Sequence, residues 1–230
     1  MTKREPFTTA YKENRKFLLE YEALTVFENE GIKFPANTLA KEKEEAIAFA
    51  EKNSFPIVLK AMSPQILHKS EYDAVIIGIN NTKELEEKFT DMQERLKEYN
   101  LKGILVEKQV KKGTELIIGI NIDPTFGPVV AFGIGGIFVE ALKDVTFRLC
   151  PTTKKRALKM IDDIKTQKLL NGFRGRPPVD REEVAEMIVN VSELAIKYND
   201  YIKEIDLNPV ISNEDGVYGV DARIILKEKK

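Results

Sequence analysis

The chain has 230 residues, 43% of them hydrophobic and 32% charged, with a formal net charge of −1, enough to bury a core of two lobes or two small domains. This charge leaves no basic footprint for nucleic acid, no apolar run reaches the roughly 18 residues of a membrane span, and the polar segment 1–6 has no signal-peptide core. The one cysteine, Cys150, offers neither an internal disulfide nor a zinc framework, so a cytoplasmic location is expected.

Residues 1–10 read as a mobile tail. Over 11–29, Phe17, Leu18, Tyr21, Leu24 and Phe27 recur at helical spacing, and Gly31 supplies a stop. Pro35 and Asn37 lead into a short strand at 38–40, followed by a charged helix over 41–53 with Ala46, Ile47, Phe49 and Ala50 inward. The apolar run 56–61 predicts a buried strand with Lys60 at its end, and 63–70, containing Pro64, reads as a loop. A strand at 73–79 precedes a helix over 82–99, with Leu85, Phe89, Met92 and Leu96 as its stripe and Thr82, Glu84 and Glu86 at a capped, acidic start. Three strands follow at 103–110, 115–121 and 128–132, and the short turns at Lys112-Gly113 and Asp123-Pro124 favour antiparallel pairing. Gly133, Gly135 and Gly136 precede residues 138–141. Helices are expected over 154–170 and 181–198, with 174–178 as the loop between them. A last hairpin joins 201–211 to 216–225 through a turn at 213–216. The order describes a mixed α/β (α+β) fold that is not doubly wound, because the connections are too short for parallel crossovers.

The most informative segment is Glu204-Ile205-Asp206-Leu207-Asn208-Pro209, with Val220-Asp221-Ala222-Arg223 after it. Side chains alternate along a strand, so Glu204, Asp206 and Asn208 point one way and Ile205 and Leu207 the other. With the turn at 213–216, Ser212 pairs with Val217, and counting back sets Asn208 opposite Asp221 and Asp206 opposite Arg223. Three oxygen-bearing side chains and an arginine then share a face. Mg²⁺ takes one or two such oxygens and fills its other positions with water and phosphate, and an arginine beside it can neutralise phosphate charge. The pattern equally describes the polar face of a surface hairpin.

Lys60, at the end of an apolar strand, has a buried stem and an ammonium that would emerge where ligands of α/β folds tend to bind. It is either a phosphate-binding cation or a lysine reaching for solvent. Gly133-Ile134-Gly135-Gly136 permits close backbone approach or positive φ, with the spacing of neither a Walker loop nor a dinucleotide fingerprint. Glu107-Lys108-Gln109-Val110, if it joins two lobes, would present backbone groups to an adenine edge. His68, the only histidine, sits in the 63–70 loop; histidine can form a covalent intermediate as a nucleophile, or simply be solvated. Cys150 reads as a small buried hydrophobe.

Taken together, these segments resemble the ATP-grasp superfamily and, within it, the β subunits of ADP-forming acetyl-CoA synthetase (acetate–CoA ligase, ADP-forming). The resemblance covers about 21–226. It rests on Phe55-Pro-Ile-Val-Leu-Lys60, Ser63-Pro-Gln-Ile-Leu-His-Lys-Ser70, Asp123-Pro-Thr-Phe-Gly-Pro128, Phe132-Gly-Ile-Gly-Gly-Ile-Phe-Val-Glu140, Leu142-Lys-Asp144, Asp206-Leu-Asn-Pro209 and Val220-Asp-Ala-Arg223, in that order. The terminal hairpin is also similar, more distantly, to the β subunit of succinyl-CoA synthetase. The resemblance implies an ATP-grasp fold whose two lobes hold the nucleotide between them: an extension at 1–20, a first lobe at 21–105, and a second at 106–230 that ends in the Mg²⁺-binding hairpin. It implies a catalytic, phosphate-binding role for Lys60, an adenine-facing linker at Glu107, Lys108 and Val110, a ribose contact at Glu115, and Mg²⁺ ligands at Asn208 and Asp221 with Asp206 beside them. Arg223 joins the ATP/ADP-binding set by its place beside that pair, and His68 the catalytic set as the only histidine, beside the phosphate lysine. The implied reaction is acyl-CoA + ADP + phosphate ⇌ acid + CoA + ATP. The CoA-binding part and a phosphorylated histidine are implied on a partner α subunit, in an α₂β₂ assembly.

After His68-Lys69-Ser70 the family often carries an acidic residue, a small one, two glycines and a valine. Here the run is Glu71-Tyr72-Asp73-Ala74-Val75, which lacks both glycines. Two other classes fit the same residues: a stand-alone ATP-grasp carboxylate ligase, and a nucleotide-binding regulatory subunit without turnover.

Overall fold

The computed structural model describes residues 4–66, 69–136, 144–173 and 177–228. The chain divides into two compact units, Pro35–Val110 and a discontinuous unit of Met1–Phe34 with Lys111–Lys230. The boundaries expected at 20/21 and 105/106 differ from these, because residues before Pro35 pack on the later part of the chain.

Residues 1–10 were expected as a tail, yet a helix, α1 (Glu5–Lys12), forms there. Its Phe7 and Ala10 are fully buried, and the Phe7 ring lies 4.9 Å from that of Tyr201 and 5.2 Å from that of Tyr198. Aromatic burial of this kind outweighs the polar composition of the segment. The single helix expected over 11–29 is broken. Asn14 adopts a left-handed φ of 55°, and α2 starts only at Glu20 (Glu20–Glu28). Between them Phe17 bridges Ile225 and the Leu18 N–H donates to the Ile224 carbonyl at 3.0 Å, so ladder bonds to a sheet edge replace helical ones. Arg15 makes a buried two-pronged ion pair with Glu22, both bonds 2.7 Å, and fixes the entry to α2.

The unit Pro35–Val110 contains β1 (Asn37–Ala40), α3 (Lys43–Asn53), β2 (Ile57–Met62), β3 (Val75–Ile79), α4 (Thr82–Arg95) and β4 (Gly103–Lys108). Its sheet runs β1-β4-β2-β3 with every pairing antiparallel. Ile57, Leu59, Leu85, Phe89, Met92, Ile104 and Val106 form its core, with Ala46 and Ala50 of α3. All of β2 is buried, as suits a central strand with a continuous apolar run. The cap of α4 is Asn81, whose side chain accepts the Glu84 N–H, one residue before the expected Thr82. The expected pairing of 103–110 with 115–121 is replaced: β4 lies between β1 and β2, and Lys112-Gly113 already belongs to the other unit.

The second unit continues with β5 (Thr114–Asp123), β6 (Gly127–Ile134), β7 (Val145–Leu149), α5 (Lys154–Asp162), α6 (Gln167–Leu170), α7 (Arg181–Lys197), β8 (Ile202–Asn213), β9 (Gly216–Gly219) and β10 (Ala222–Leu226). Its antiparallel sheet runs β10-β8-β5-β6-β7, with β9 also on β8. One face, carrying Leu116, Ile118, Ile120, Val130, Phe132 and Leu207, is buried, as are Val184, Ile188, Val191 and Ala195 of α7. Cys150 is half-buried; burial pushes its thiol up to about 12, with a hydrogen bond to the Val130 backbone pulling the other way. The expected 138–141 segment and residues 174–176 of the expected 174–178 loop lie outside the described residues. Among the described residues no helix is long and apolar enough to cross a membrane.

The helix expected over 154–170 is split into α5 and α6, and Asp144 supports the break. Its carboxylate accepts the Lys165 N–H at 3.0 Å, the Thr166 N–H at 2.8 Å and the Thr166 hydroxyl. Burial alone would raise its pKa, but these bonds outweigh it and hold the group below the usual aspartate range. Asp144→Ala is expected to lower stability by about 2 kcal/mol at pH 7, measured by denaturant unfolding. The depressed pKa fixes the sign: the wild-type advantage is full above the unfolded value of about 3.9 and shrinks as pH falls through the lower folded value.

Candidate functional site

In the unit Pro35–Val110, Lys60 and Glu107 come together. Val58 is the register partner of Glu107, and Lys60, two residues on, shares its face. The Lys60 ammonium lies 2.6 Å from the Glu107 carboxylate, with side chains 5% and 2% exposed. The expectation of an ammonium emerging at a strand end is therefore corrected: β2 continues to Met62, and the cation is held in the interior by a carboxylate from the neighbouring strand. Close geometry of this kind is what offsets the cost of taking two charges out of water.

The segment 107–110 starts inside β4 and ends where the chain passes to the other unit. Lys108 donates its backbone N–H to Ala36 at 2.9 Å, and its ammonium reaches the Phe55 carbonyl at 2.7 Å and that of Ser54 at 3.3 Å. The Gln109 N–H donates to the Pro56 carbonyl at 3.1 Å. The Gln109 side-chain oxygen is buried without a hydrogen-bond partner, so a donor arriving there would satisfy it. Val110 is the last residue of this unit. His68 lies outside the described residues.

In the second unit, the β8 hairpin has the register expected from its turn. Ser212 pairs with Val217, the Asn208 N–H donates to the Asp221 carbonyl at 3.2 Å, and Arg223 faces Asp206. Asp221 sits at a bend between β9 and β10. Ile205 and Leu207 are buried and Asn208 is exposed, with Glu204 and Asp206 half-buried, so the alternation holds. Arg223 lies 3.2 Å from Glu204 and 3.7 Å from Asp206, and its Nε is buried without a hydrogen-bond partner. Burial holds the Asp206 carboxyl above its usual range; Arg223 pulls it down, while Asp221 and Glu204 push it up. The carboxylates of Asp206 and Asp221 are thus close enough to repel.

Among the described residues no group of three or more His, Cys, Asp or Glu side chains is placed to hold a metal. The candidate set is one amide and one carboxylate, Asn208 and Asp221, with Asp206 beside them. These hard oxygens fit Mg²⁺, which draws its remaining ligands from water and phosphate, and a cation there would offset the repulsion between the two aspartates. The Arg223 Nε donor fits an anion beside it.

Glu115 lies against Gly135 and Gly136, which follow β6. The Gly135 N–H donates to the Glu115 carbonyl at 2.7 Å. Gly136 has φ +66°, and a Cβ on it would come 2.7 Å from the Glu115 carboxylate. Gly135 is as tightly placed, since a Cβ there would meet the Glu115 backbone at 2.9 Å. Gly133 and Ile134 end β6, Gly135 makes the close approach and Gly136 takes the positive φ that glycine permits. Sequence reasoning left out the Glu204 contact to Arg223 and the buried Gln109 oxygen. The alternation with Asp206 and Asn208 points to Glu204, whereas nothing in the spacing marks Gln109.

An ATP-grasp domain model matches residues 9–226. The acetate–CoA ligase (ADP-forming) II subunit beta of Pyrococcus furiosus is 45% identical over 221 residues, 94% of each chain. The dinucleotide forming acetyl-coenzyme A synthetase 1 of Ca. Korarchaeum cryptofilum, solved in complex with coenzyme A, Ca-AMPCP and HgCl+, superposes with a TM-score of 0.92 at 40% identity, covering 98% of this chain and 100% of that one. The same enzyme with coenzyme A and Mg-AMPPCP, its phosphohistidine segment pointing towards the nucleotide binding site, gives a TM-score of 0.87 at 38% identity, with the same coverage.

Proposed function

Because the chain belongs to the ATP-grasp family and, within it, to the β subunits of ADP-forming acetate–CoA ligases, we propose that it passes a phosphoryl group between a histidine of a partner α subunit and ADP. The overall reaction is acyl-CoA + ADP + phosphate ⇌ acid + CoA + ATP. The observation that carries the nucleotide chemistry is the polar end of the β8 hairpin, where Asn208 faces Asp221 and Arg223 keeps a buried Nε donor unbonded. In the Korarchaeum enzyme a phosphohistidine segment points towards the nucleotide binding site, which supports the choice of donor.

Each residue has one role in this reading. Asn208 and Asp221 hold Mg²⁺, with Asp206 as neighbour; when bound, the ion neutralises charge on the phosphates. Arg223 donates to a phosphate oxygen and is oriented by Glu204 and Asp206. Lys60, fixed by Glu107, sets a cation against the phosphates. The backbone of 107–110, with Lys108 and Val110, meets the adenine, and Glu115 the ribose. His68 is a second phosphoryl carrier: the N–P bond of the partner's phosphohistidine breaks as one to His68 forms, and that bond in turn gives way to an O–P bond on the ADP β-phosphate. Such transfer is mostly positioning and charge neutralisation.

The partner binds CoA, the assembly is α₂β₂, and the location is cytoplasmic. Assaying ATP formation by the purified chain with and without its α subunit tests the reading. Activity only in the complex is expected. Turnover by the chain alone would favour a stand-alone ligase, and none in either case a regulatory subunit.

A further inference from the structure

The segments on both sides of His68 are fastened by side chains that the nucleotide chemistry does not use. Upstream, Ser63, 1% exposed, donates its hydroxyl to the Tyr99 carbonyl and accepts the Gln65 N–H at 3.0 Å. Downstream, Lys69–Tyr72 forms one turn of 3₁₀ helix, closed by the Ala74 N–H donating to the Lys69 carbonyl at 2.8 Å. Arg95, in the last turn of α4, donates Nη1 to the Tyr72 carbonyl at 2.7 Å and Nη2 to the Asp73 carbonyl at 3.0 Å. The Tyr72 ring meets that of Tyr99 edge-on at 5.3 Å. One short stretch, 95–99, therefore grips both flanks.

What it grips is a turn closed by its own backbone bonds, Ala74 N–H to Lys69 and a long one of 3.4 Å from Asp73 N–H to Ser70, but carrying a strained residue. Asp73 has φ +47°, in the left-handed region that glycine enters freely and other residues at an energetic cost. Aspartate tolerates that region better than most residues, and the Arg95 fork adds a hold on its carbonyl and the one before it. Ala74 behind it is fully buried, so the turn cannot relax into the core. The planar fork of a guanidinium suits two successive carbonyls, which a lysine could engage only singly.

We propose that Arg95 is a positioning residue: by holding the Tyr72 and Asp73 carbonyls it keeps a non-glycine turn in its left-handed form and fixes the flank from which His68 works. The inference rests on the phosphoryl-carrier reading of His68. Arg95 itself touches no proposed nucleotide residue, and its guanidinium is part-exposed beside Asp91 at 3.7 Å, so its loss opens no core.

The test uses the complex of the chain with its α subunit. Arg95→Gln is expected to lower kcat for ATP formation about tenfold with KM for ADP and the unfolding midpoint unchanged. Adding Asp73→Gly, which takes the turn without help, should restore kcat to within about threefold of wild type. An unchanged kcat in Arg95→Gln, or a kcat that falls together with the unfolding midpoint and is not rescued by Asp73→Gly, would overturn the proposal. Acid-labile phosphate on this subunit that persists in His68→Ala would instead overturn the carrier reading. Amide exchange over 69–74 then still decides the hold on the turn, because it rises in Arg95→Gln if Arg95 holds the turn and is unchanged if it does not.

Discussion

Replacing Asp221 by alanine is expected to lower ATP formation by the assembled complex about 10²- to 10³-fold, while the unfolding midpoint stays within about 3 °C of wild type. The two halves of this expectation have different causes. Activity falls because Asp221 is the carboxylate of the proposed Mg²⁺ pair, across from Asn208, and one amide oxygen is a poor substitute for both ligands. Stability is kept because Asp221 sits half-buried at a bend, and its charge already works against Asp206. Initial rates against Mg²⁺ concentration, with calorimetry on the same sample, read both. Full activity in the variant would remove Asp221 from the metal site.

The second large effect concerns the buried pair of Lys60 and Glu107. Lys60→Met leaves the Glu107 carboxylate without its 2.6 Å cation in a site where its side chain is 2% exposed. Breaking such a pair from one side costs about 3–5 kcal/mol, whereas replacing both partners by apolar groups is close to neutral. Lys60→Met/Glu107→Leu should therefore recover most of the stability lost by either single change, and a double-mutant cycle in denaturant gives the coupling directly. The double variant also separates packing from chemistry. If it is stable and makes no ATP, the cation is required by the reaction. If it is stable and active, Lys60 is structural and leaves the proposed mechanism.

The sequence made the polar hairpin legible because strand alternation is a local rule. Once the turn was placed at 213–216, the facing of Asn208 with Asp221 and of Asp206 with Arg223 followed by counting, and the structure has that register. The close approach at Gly135 and the positive φ of Gly136 were legible from the missing Cβ of glycine. Local rules said nothing about sheet membership, so β4 was expected beside β5 although it pairs with β1 and β2. They also missed that a polar stretch carrying Phe7 is anchored by Tyr198 and Tyr201, nearly two hundred positions away. The partner of Lys60 was illegible for a related reason: Glu107 reaches it only through the pairing of two strands far apart in sequence.

The discontinuous unit carries a consequence for the order in which a nascent chain can fold. Residues 35–110 are continuous and close their sheet without help, so this unit can be complete early in translation. The earlier helices cannot. Leu18 bonds to Ile224 and the Leu226 N–H to Lys16, partners synthesised some two hundred residues later. Phe7 waits for the Tyr198 and Tyr201 rings that cover it, and residues 16–18 wait for the edge of β10. That long wait, set by high sequence separation, leaves the first helix and residues 16–18 without their partners for most of synthesis.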